Sequence, residues 1–375
     1  MMISYILKLL INLLSLPIYY LSGIVPRNKC LWVFGAWRGR TYSDNPKYLF
    51  EFVKGTKKEI TAVWITKNKN IINEKESIYY YLSFKGIIYT LMAGKSFVTH
   101  ESSDINSTLL CRCTLINMTH GSPIKKIGKD ASYQRFGKMT GFYDALSTYI
   151  SPQKKVADYI FVASERDRII FKNALDYKID VIGFGYPRWK PLLDIGSTRE
   201  EFEKFDKIIM YAPTLRKMNR EQLNPAEFSG LRELISLFEE RNYLLLIRPH
   251  PSMKLNLEDF YCDNLKLCDS SIESDINVLL SNVDILISDF SSVIYDFDIL
   301  KRPILLLSPD SEEYINHDVG IYGDYYIDTP GIIVNNWFDV ASEIKKNNGG
   351  TNLHCGNHPD GKLIMEEMCG YLEGV

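Results

Sequence analysis

Four short polar clusters each follow an apolar run of strand length, and their residue types are those that handle phosphate. The sharpest is Ile285-Leu286-Ile287-Ser288-Asp289-Phe290-Ser291-Ser292-Val293-Ile294-Tyr295-Asp296-Phe297. Its apolar run stops at Ser288, and a new apolar pattern starts at helical spacing with Val293, Ile294, Phe297 and Leu300. The pattern predicts strand, tight turn and helix. Ser291 and Ser292 then fall in the first helical turn, where backbone N–H groups lack intrahelical partners and the macrodipole is positive. Hydroxyls added to free N–H groups suit a phosphate or diphosphate, several of whose oxygens are satisfied at once. The alternative is that Asp289 or Ser291 only caps the helix.

The other clusters add bases and cations. Leu115 to Met118 reads as a buried strand, and Thr119-His120-Gly121-Ser122-Pro123-Ile124-Lys125-Lys126 follows it. An imidazole at a strand's carboxyl end suits a general base near neutral pH, and Lys125, Lys126 and Lys129 add positive charge beside it. Taken alone, a histidine there is as readily a hydrogen-bonded structural residue. Tyr211-Ala212-Pro213-Thr214-Leu215-Arg216 and Arg248-Pro249-His250-Pro251 also follow strand ends directly. Arg216, Arg248 and His250 each donate to phosphoryl oxygens, an arginine with two prongs.

These clusters need a scaffold, and the rest of the chain supplies one. Strands are predicted at Leu31–Phe34, Thr61–Thr66, Phe97–Thr99, Thr114–Met118, Asp158–Ala163 and Asp180–Ile182. Helices at Lys47–Val53, Lys85–Ala93 and Arg166–Leu175 alternate with them. After a mixed stretch around Pro191 to Arg199, read as a linker, a second set begins. It has strands at Ile208–Tyr211, Leu244–Ile247, Ile285–Ile287 and Ile304–Leu307, and helices at Ala226–Arg241, Asp275–Ser281 and Val293–Leu300. Strands alternating with helices predict mainly parallel sheets covered on both faces, with ligands at the strands' carboxyl ends. The fold class is therefore α/β with two doubly wound, Rossmann-like domains, 27–194 and 195–375, the second closing with a helix from Pro359 to Leu372. Two such domains facing each other put a cleft between their strand ends.

With 375 residues, 46% of them hydrophobic, the chain has apolar material for two cores. A net charge of −2 argues against broad nucleic-acid binding, which needs a basic field. Seven scattered cysteines without a CxxC pair point to a reducing compartment rather than a disulfide framework or a zinc site. Residues 1–26 are strongly apolar, yet Lys8, Asn12, Ser15 and Pro17 interrupt the run that a spanning helix requires. At 100° per residue, Ser4, Lys8, Asn12 and Ser15 share one narrow stripe. That is the pattern of an amphipathic helix lying in a membrane surface, with Tyr19 and Tyr20 at headgroup level and Arg27, Lys29, Arg38 and Arg40 near anionic lipid. A helix buried against its own domain is the competing reading. A signal peptide lacks its basic start and its cleavage site here.

Taken together, Tyr42-Ser43-Asp44-Asn45-Pro46-Lys47, His120-Gly121-Ser122-Pro123-Ile124-Lys125-Lys126, Tyr211 to Arg216, Arg248-Pro249-His250-Pro251, and Ser288 to Ser292 with Arg302-Pro303 resemble the signature blocks of the CDP-glycerol glycerophosphotransferase family. The resemblance runs in order from about Trp32 to Tyr326. Ser122 stands where the family carries Thr, and Lys217 where an acidic residue is frequent. The family implies a GT-B fold at the cytoplasmic membrane face, peripheral or monotopic. It also implies transfer of a polyol phosphate from a CDP-activated donor to an undecaprenyl-linked or polymeric glycan acceptor, releasing CMP, in teichoic acid or capsule assembly. By motif, His120 is the base near the acceptor hydroxyl, with Lys125 and Lys126 on the acceptor side of an N-terminal acceptor domain. Arg216, Arg248, His250, Ser291 and Ser292 hold the donor diphosphate in the C-terminal domain, with Asp296 close by. Protein cations supply the charge, and no acidic cluster has magnesium-binding spacing, so no cofactor and no obligatory metal are expected. CDP-ribitol in place of CDP-glycerol, and a GT-B glycosyltransferase using a nucleotide sugar, are the alternatives.

Overall fold

The computed structural model describes residues 2–374 apart from 73–75, 101, 132–156, 176–179, 194–201, 216–227, 251–252, 254–259, 261, 270–271, 274, 319 and 347–360. The chain forms two compact units. The first comprises Met1–His120, Tyr133–Arg188 and Gly361–Val375, and the second Gly121–Ser132 and Trp189–Asp360. The expected boundary after residue 194 falls six residues beyond the Arg188–Trp189 break of this partition, and the two differ in two further places. The stretch after His120 belongs to the second unit, and the C-terminal helix belongs to the first. Local periodicity reads an element but not the sheet on which a returning element docks.

The first unit is built on a seven-stranded sheet: β1 (Asn28–Phe34), β2 (Thr61–Thr66), β3 (Ile78–Tyr80), β4 (Ala93–Val98), β5 (Thr114–Asn117), β6 (Tyr159–Val162) and β7 (Asp180–Gly183). Their order is β3-β2-β1-β4-β5-β6-β7, and every pairing is parallel. Alternate side chains of β1 enter two separate cores. Trp32 and Phe34 pack with Leu49, Phe50 and Val53 of the helix Asp44–Thr56, whereas Leu31 and Val33 pack with Ile105, Leu110 and Leu115. Both faces are thus covered, as parallel strands require. The C-terminal helix Gly361–Gly374 inserts Met368, Cys369 and Leu372 into the first of these cores.

The second unit holds β8 (Lys207–Ala212), β9 (Tyr243–Ile247), β10 (Leu265–Leu267), β11 (Ile285–Ser288), β12 (Ile304–Leu307) and β13 (Ile332–Val334). They form a parallel sheet in the order β10-β9-β8-β11-β12-β13. Ile209, Tyr211, Ile247, Ile287 and Leu307 line one face beneath Leu234 and Phe238 of the helix Leu231–Glu240 and Trp337 and Val340 of the helix Trp337–Lys346. Three strands absent from the sequence reading, β3, β10 and β13, each span three residues and lie at or next to a sheet edge, too short for a period to register.

The N-terminal helix runs Met2–Ser22, and no helix among the described residues is long and apolar enough to cross a membrane. Of the stripe's described side chains, Asn12 is buried and Ser15 half-buried. Asn12 and Ser22 are buried, and Ser22 Oγ accepts the Cys111 N–H at 3.3 Å. Leu10, Ile11, Leu13, Leu14, Ile18, Tyr20 and Leu21 are exposed, Leu14 at 75%. This is the inverse of a helix docked by its apolar face. Arg27 departs from the expectation that it meets lipid. Its guanidinium donates to the carbonyls of Ser22, Thr90, Leu91, Leu109 and Cys111, which fastens the end of the helix to the first unit. Backbone carbonyls orphaned at helix ends attract such a donor fork.

Candidate functional site

In the first unit the polar loops follow β1, β4 and β5, which are neighbours in the sheet. Trp37 and Arg38 follow β1 and both take left-handed backbone conformations, with φ of 49° and 58°. Each such non-glycine residue costs about 1–3 kcal/mol and persists only where surroundings hold it. The holding group is Asp104. Its buried carboxylate accepts the N–H groups of Arg38 at 2.6 Å, Thr99 at 2.8 Å and His100 at 3.1 Å. Burial pushes the Asp104 carboxyl above the ordinary carboxylate range, while these three N–H groups and His100 pull it back. Gly35 allows the approach, because a Cβ there would stand 2.7 Å from the Asp104 carbonyl oxygen.

The loop after β5 is tied down by several side chains. Asn117 donates to the His100 carbonyl at 3.0 Å and accepts the Thr119 N–H at 2.8 Å, so one side chain joins the loops after β4 and β5. Asn45, fully buried, donates to the carbonyls of Met118 at 2.9 Å and Thr119 at 3.2 Å and accepts the Arg188 N–H at 3.1 Å. The Arg188 guanidinium donates to the His120 carbonyl at 2.7 Å and pairs with buried Asp44 at 3.4 Å. His120 itself is exposed. Its ring stacks on that of His100, with centroids 4.1 Å and planes 16° apart, and the Trp37 ring meets both at steep angles.

His100, Trp37, Asp104, Asn117 and Arg188 were not read from the sequence as site residues. The available signal was position, since Trp37 and His100 lie just beyond predicted strands, as His120 does. Asp104→Asn is expected to destabilise the protein by about 1–3 kcal/mol, because the new amide turns an N–H toward at least one of the three N–H groups that the carboxylate accepts. A lowered denaturant midpoint with an unchanged slope checks this, and an unchanged midpoint refutes it.

In the second unit the loops follow β8, β9 and β11. Asp289, buried, accepts the N–H groups of Thr214 at 2.9 Å and Phe290 at 2.7 Å, binding the β8 and β11 loops together. Phe290 stacks on Tyr314 with centroids 3.9 Å apart, and Tyr325 donates to the Asp289 carbonyl at 3.2 Å. Ser291 and Ser292 are half-buried and stand just before the helix, which spans Val293–Asp298, rather than within its first turn. Ser291 Oγ accepts the Val293 N–H at 3.4 Å, and Ser292 occupies the cap position without a side-chain cap bond.

The remaining expected residues are distributed as follows. His250 is exposed in the loop after β9. Arg248 is buried and donates to the Cys268 carbonyl at 3.1 Å, with burial lowering its pKa, so it braces the end of β10. Asp296 is buried and accepts the Trp189 indole N–H at 2.8 Å, a packing role that spacing alone does not show. Arg216 lies outside the described residues. Lys125 and Lys126, expected beside His120 in the N-terminal domain, belong to the second unit. There Lys125 bridges Ile321, the Lys126 N–H donates to Gly320 at 2.9 Å, and the Tyr322 N–H donates to Ile124 at 2.8 Å. Backbone pairing with residues 320–322 decides this, and charge near a histidine in sequence does not reveal it.

Two parallel-sheet α/β units, each with polar loops beyond its strands' carboxyl ends, give the chain a GT-B-like architecture. A family profile described as CDP-Glycerol:Poly(glycerophosphate) glycerophosphotransferase matches residues 18–353, and the chain belongs to that family. It is 29% identical over 358 residues to the teichoic acid poly(glycerol phosphate) polymerase of Bacillus spizizenii, covering 90% of this chain and 89% of that one. It is 28% identical over 334 residues to the teichoic acid glycerol-phosphate transferase of Staphylococcus aureus, covering 85% and 84%. Among solved structures, the wall teichoic acid polymerase TagF soaked with CDPG superposes with a TM-score of 0.74 at 21% identity, over 100% of this chain and 97% of that one, a likeness of fold.

Proposed function

We propose that this chain transfers glycerol phosphate from CDP-glycerol to a lipid-linked or polymeric glycan acceptor in teichoic acid or capsule synthesis, releasing CMP. The observation that carries the reading is the exposed His120 imidazole, held beyond a parallel strand by a buried network, in a chain matched by the family profile from residue 18 to 353. The acceptor hydroxyl oxygen forms a bond to the donor's glycerol-bearing phosphorus, and the bond from that phosphorus to the CMP oxygen breaks. His120 takes the hydroxyl proton, and CMP leaves with the electron pair. Arg216 neutralises charge on the phosphoryl oxygens while Ser291, Ser292 and His250 donate hydrogen bonds to them, the kind of positioning and charge stabilisation that dominates phosphoryl transfer. Arg248 and Asp296 shape this site from within the fold.

Because the chain's own donors carry that charge, turnover is expected to persist in excess chelator. The assay mixes the protein and a lipid-linked acceptor with CDP-glycerol or CDP-ribitol, with and without EDTA, and follows product mass and the released nucleotide. Release of a nucleoside diphosphate would overturn phosphate transfer in favour of sugar transfer. Activity abolished by EDTA and restored by magnesium would overturn the assignment of charge.

The helix Met2–Ser22 lies in the cytoplasmic leaflet with its exposed apolar side down. What supports this is the reversed polarity of the helix, with Asn12 turned inward and Leu14, Ile18 and Leu21 outward. Leu14→Asp combined with Ile18→Asp is expected to weaken vesicle binding about 100-fold, from ~3 kcal/mol of lost apolar burial. Flotation with anionic vesicles reads it, and equal binding of both forms refutes the anchor.

A further inference from the structure

We propose that His100 is a positioning residue for the acceptor-side reaction, acting through its face-on contact with His120. The inference rests on His120 as the base. The two rings are 4.1 Å apart and within 16° of parallel, so His100 covers one face of the His120 imidazole and leaves its edge, where both nitrogens lie, out of the contact. Trp37 closes the group, its ring centroid 4.8 Å from that of His100 and 5.6 Å from that of His120.

The three rings come from three neighbouring strands, and the protein fixes each backbone separately. Asp104 accepts the N–H groups of Arg38 and His100. Asn117 bonds the His100 carbonyl and the Thr119 N–H, so His100 and the residue before His120 share one anchor. The consecutive left-handed residues Trp37 and Arg38 turn the chain at the end of β1, where the indole reaches both imidazoles. Structural need does not account for this arrangement. His100 and His120 are exposed, Trp37 is 40% exposed, and none of the three contributes to a core. An exposed imidazole otherwise samples several rotamers. A general base must instead stand about 2.6–3.2 Å from the proton that it takes. A stacked neighbour whose backbone is held at both its N–H and its carbonyl, and whose ring Trp37 flanks, narrows that sampling and biases the base toward one orientation.

The test uses the full chain, CDP-glycerol and a lipid-linked acceptor, with kcat and the donor KM measured separately. His100→Ala is expected to lower kcat about 30-fold while donor KM stays within about twofold, the pattern of a misplaced base rather than lost binding. The unfolding temperature stays near that of the parent protein, because Asp104 and Asn117 hold residue 100 through its backbone. His100→Phe keeps a flat ring in the same place and is expected to recover kcat to within about threefold. His100→Gln fills the space without a ring and is expected to behave as the alanine variant does, which covers the case in which alanine loosens the loop. Parental kcat in both His100→Ala and His100→Gln overturns the proposal. So does a phenylalanine variant as impaired as alanine, which would make the imidazole itself the reacting group. His120→Ala separates the two levels. If it is inactive while the His100 variants are not, only this inference fails, whereas if it turns over normally, the assignment of the base fails and this inference with it.

Discussion

Replacing His120 with alanine is expected to lower turnover by about 10²–10⁴-fold, the usual value of a positioned proton acceptor. Binding of CDP-glycerol is expected to stay close to that of the parent protein. In the proposed mechanism the donor-side residues belong to the second unit, whereas His120 belongs to the first. The loss should appear in kcat and kcat/KM equally, since a base takes up its proton only as the hydroxyl attacks. The fold should not suffer. The His120 carbonyl, which Arg188 binds at 2.7 Å, is backbone and survives the substitution, and the side chain lies outside the cores. Single-turnover kinetics with calorimetric titration of CDP-glycerol separates the two effects. Undiminished turnover would exclude His120 as the base, and donor binding lost in parallel would move it to the donor side.

Asn45→Ala is expected to have the largest effect on stability among the site residues. The Asn45 amide satisfies the carbonyls of Met118 and Thr119 and accepts the Arg188 N–H, and the residue is fully buried. Alanine leaves three buried backbone groups without these bonds, at about 1–3 kcal/mol for each group left unsatisfied. Relaxation recovers some of this, so a loss of roughly 3–5 kcal/mol is expected, a large share of an ordinary domain's margin. Asn45→Asp is expected to be no better, since a carboxylate still accepts from Arg188 but faces two carbonyl oxygens without a proton to offer. The same bonds set the path of the chain into His120. Both variants should therefore also lose turnover when assayed at a temperature where they remain folded. Urea unfolding followed by circular dichroism gives the first quantity, and a change below about 1 kcal/mol would show that the network is not what holds this loop.

Where the chain's elements lie was largely legible from periodicity. The strand expected at Thr61–Thr66 has those bounds, and those expected at Leu244–Ile247 and Ile304–Leu307 fall within or match β9 and β12. Long apolar runs bounded by polar turns carry that signal because both sheet faces are buried. Roles at the site were less legible. Arg248 and Asp296 were both expected at the donor diphosphate, and in the structure one braces the Cys268 carbonyl and the other holds the Trp189 indole. A charged residue beside a motif looks the same in sequence whether its head group meets ligand or backbone. The serines of the β11 loop fall just outside the helix, Ser292 at its cap and Ser291 one residue earlier, for a related reason. Periodicity locates a helix to within a turn, while its first residue is set by local hydrogen bonding.

The sequence by itself determined that this is a parallel α/β chain with two sheets and that polar clusters sit just beyond strand ends, and its resemblance to the glycerophosphotransferase family agrees with the profile match. These follow from local rules of burial, period and turn chemistry that act over a few residues. Only the tertiary structure decided that β1, β4 and β5 lie side by side, bringing Trp37 against His100 and His120. It alone also decided that Asn45 and Arg188, 143 positions apart, clamp the loop that carries His120. Such contacts depend on which strands pair and on which distant donor meets a buried carbonyl, and no local pattern encodes either.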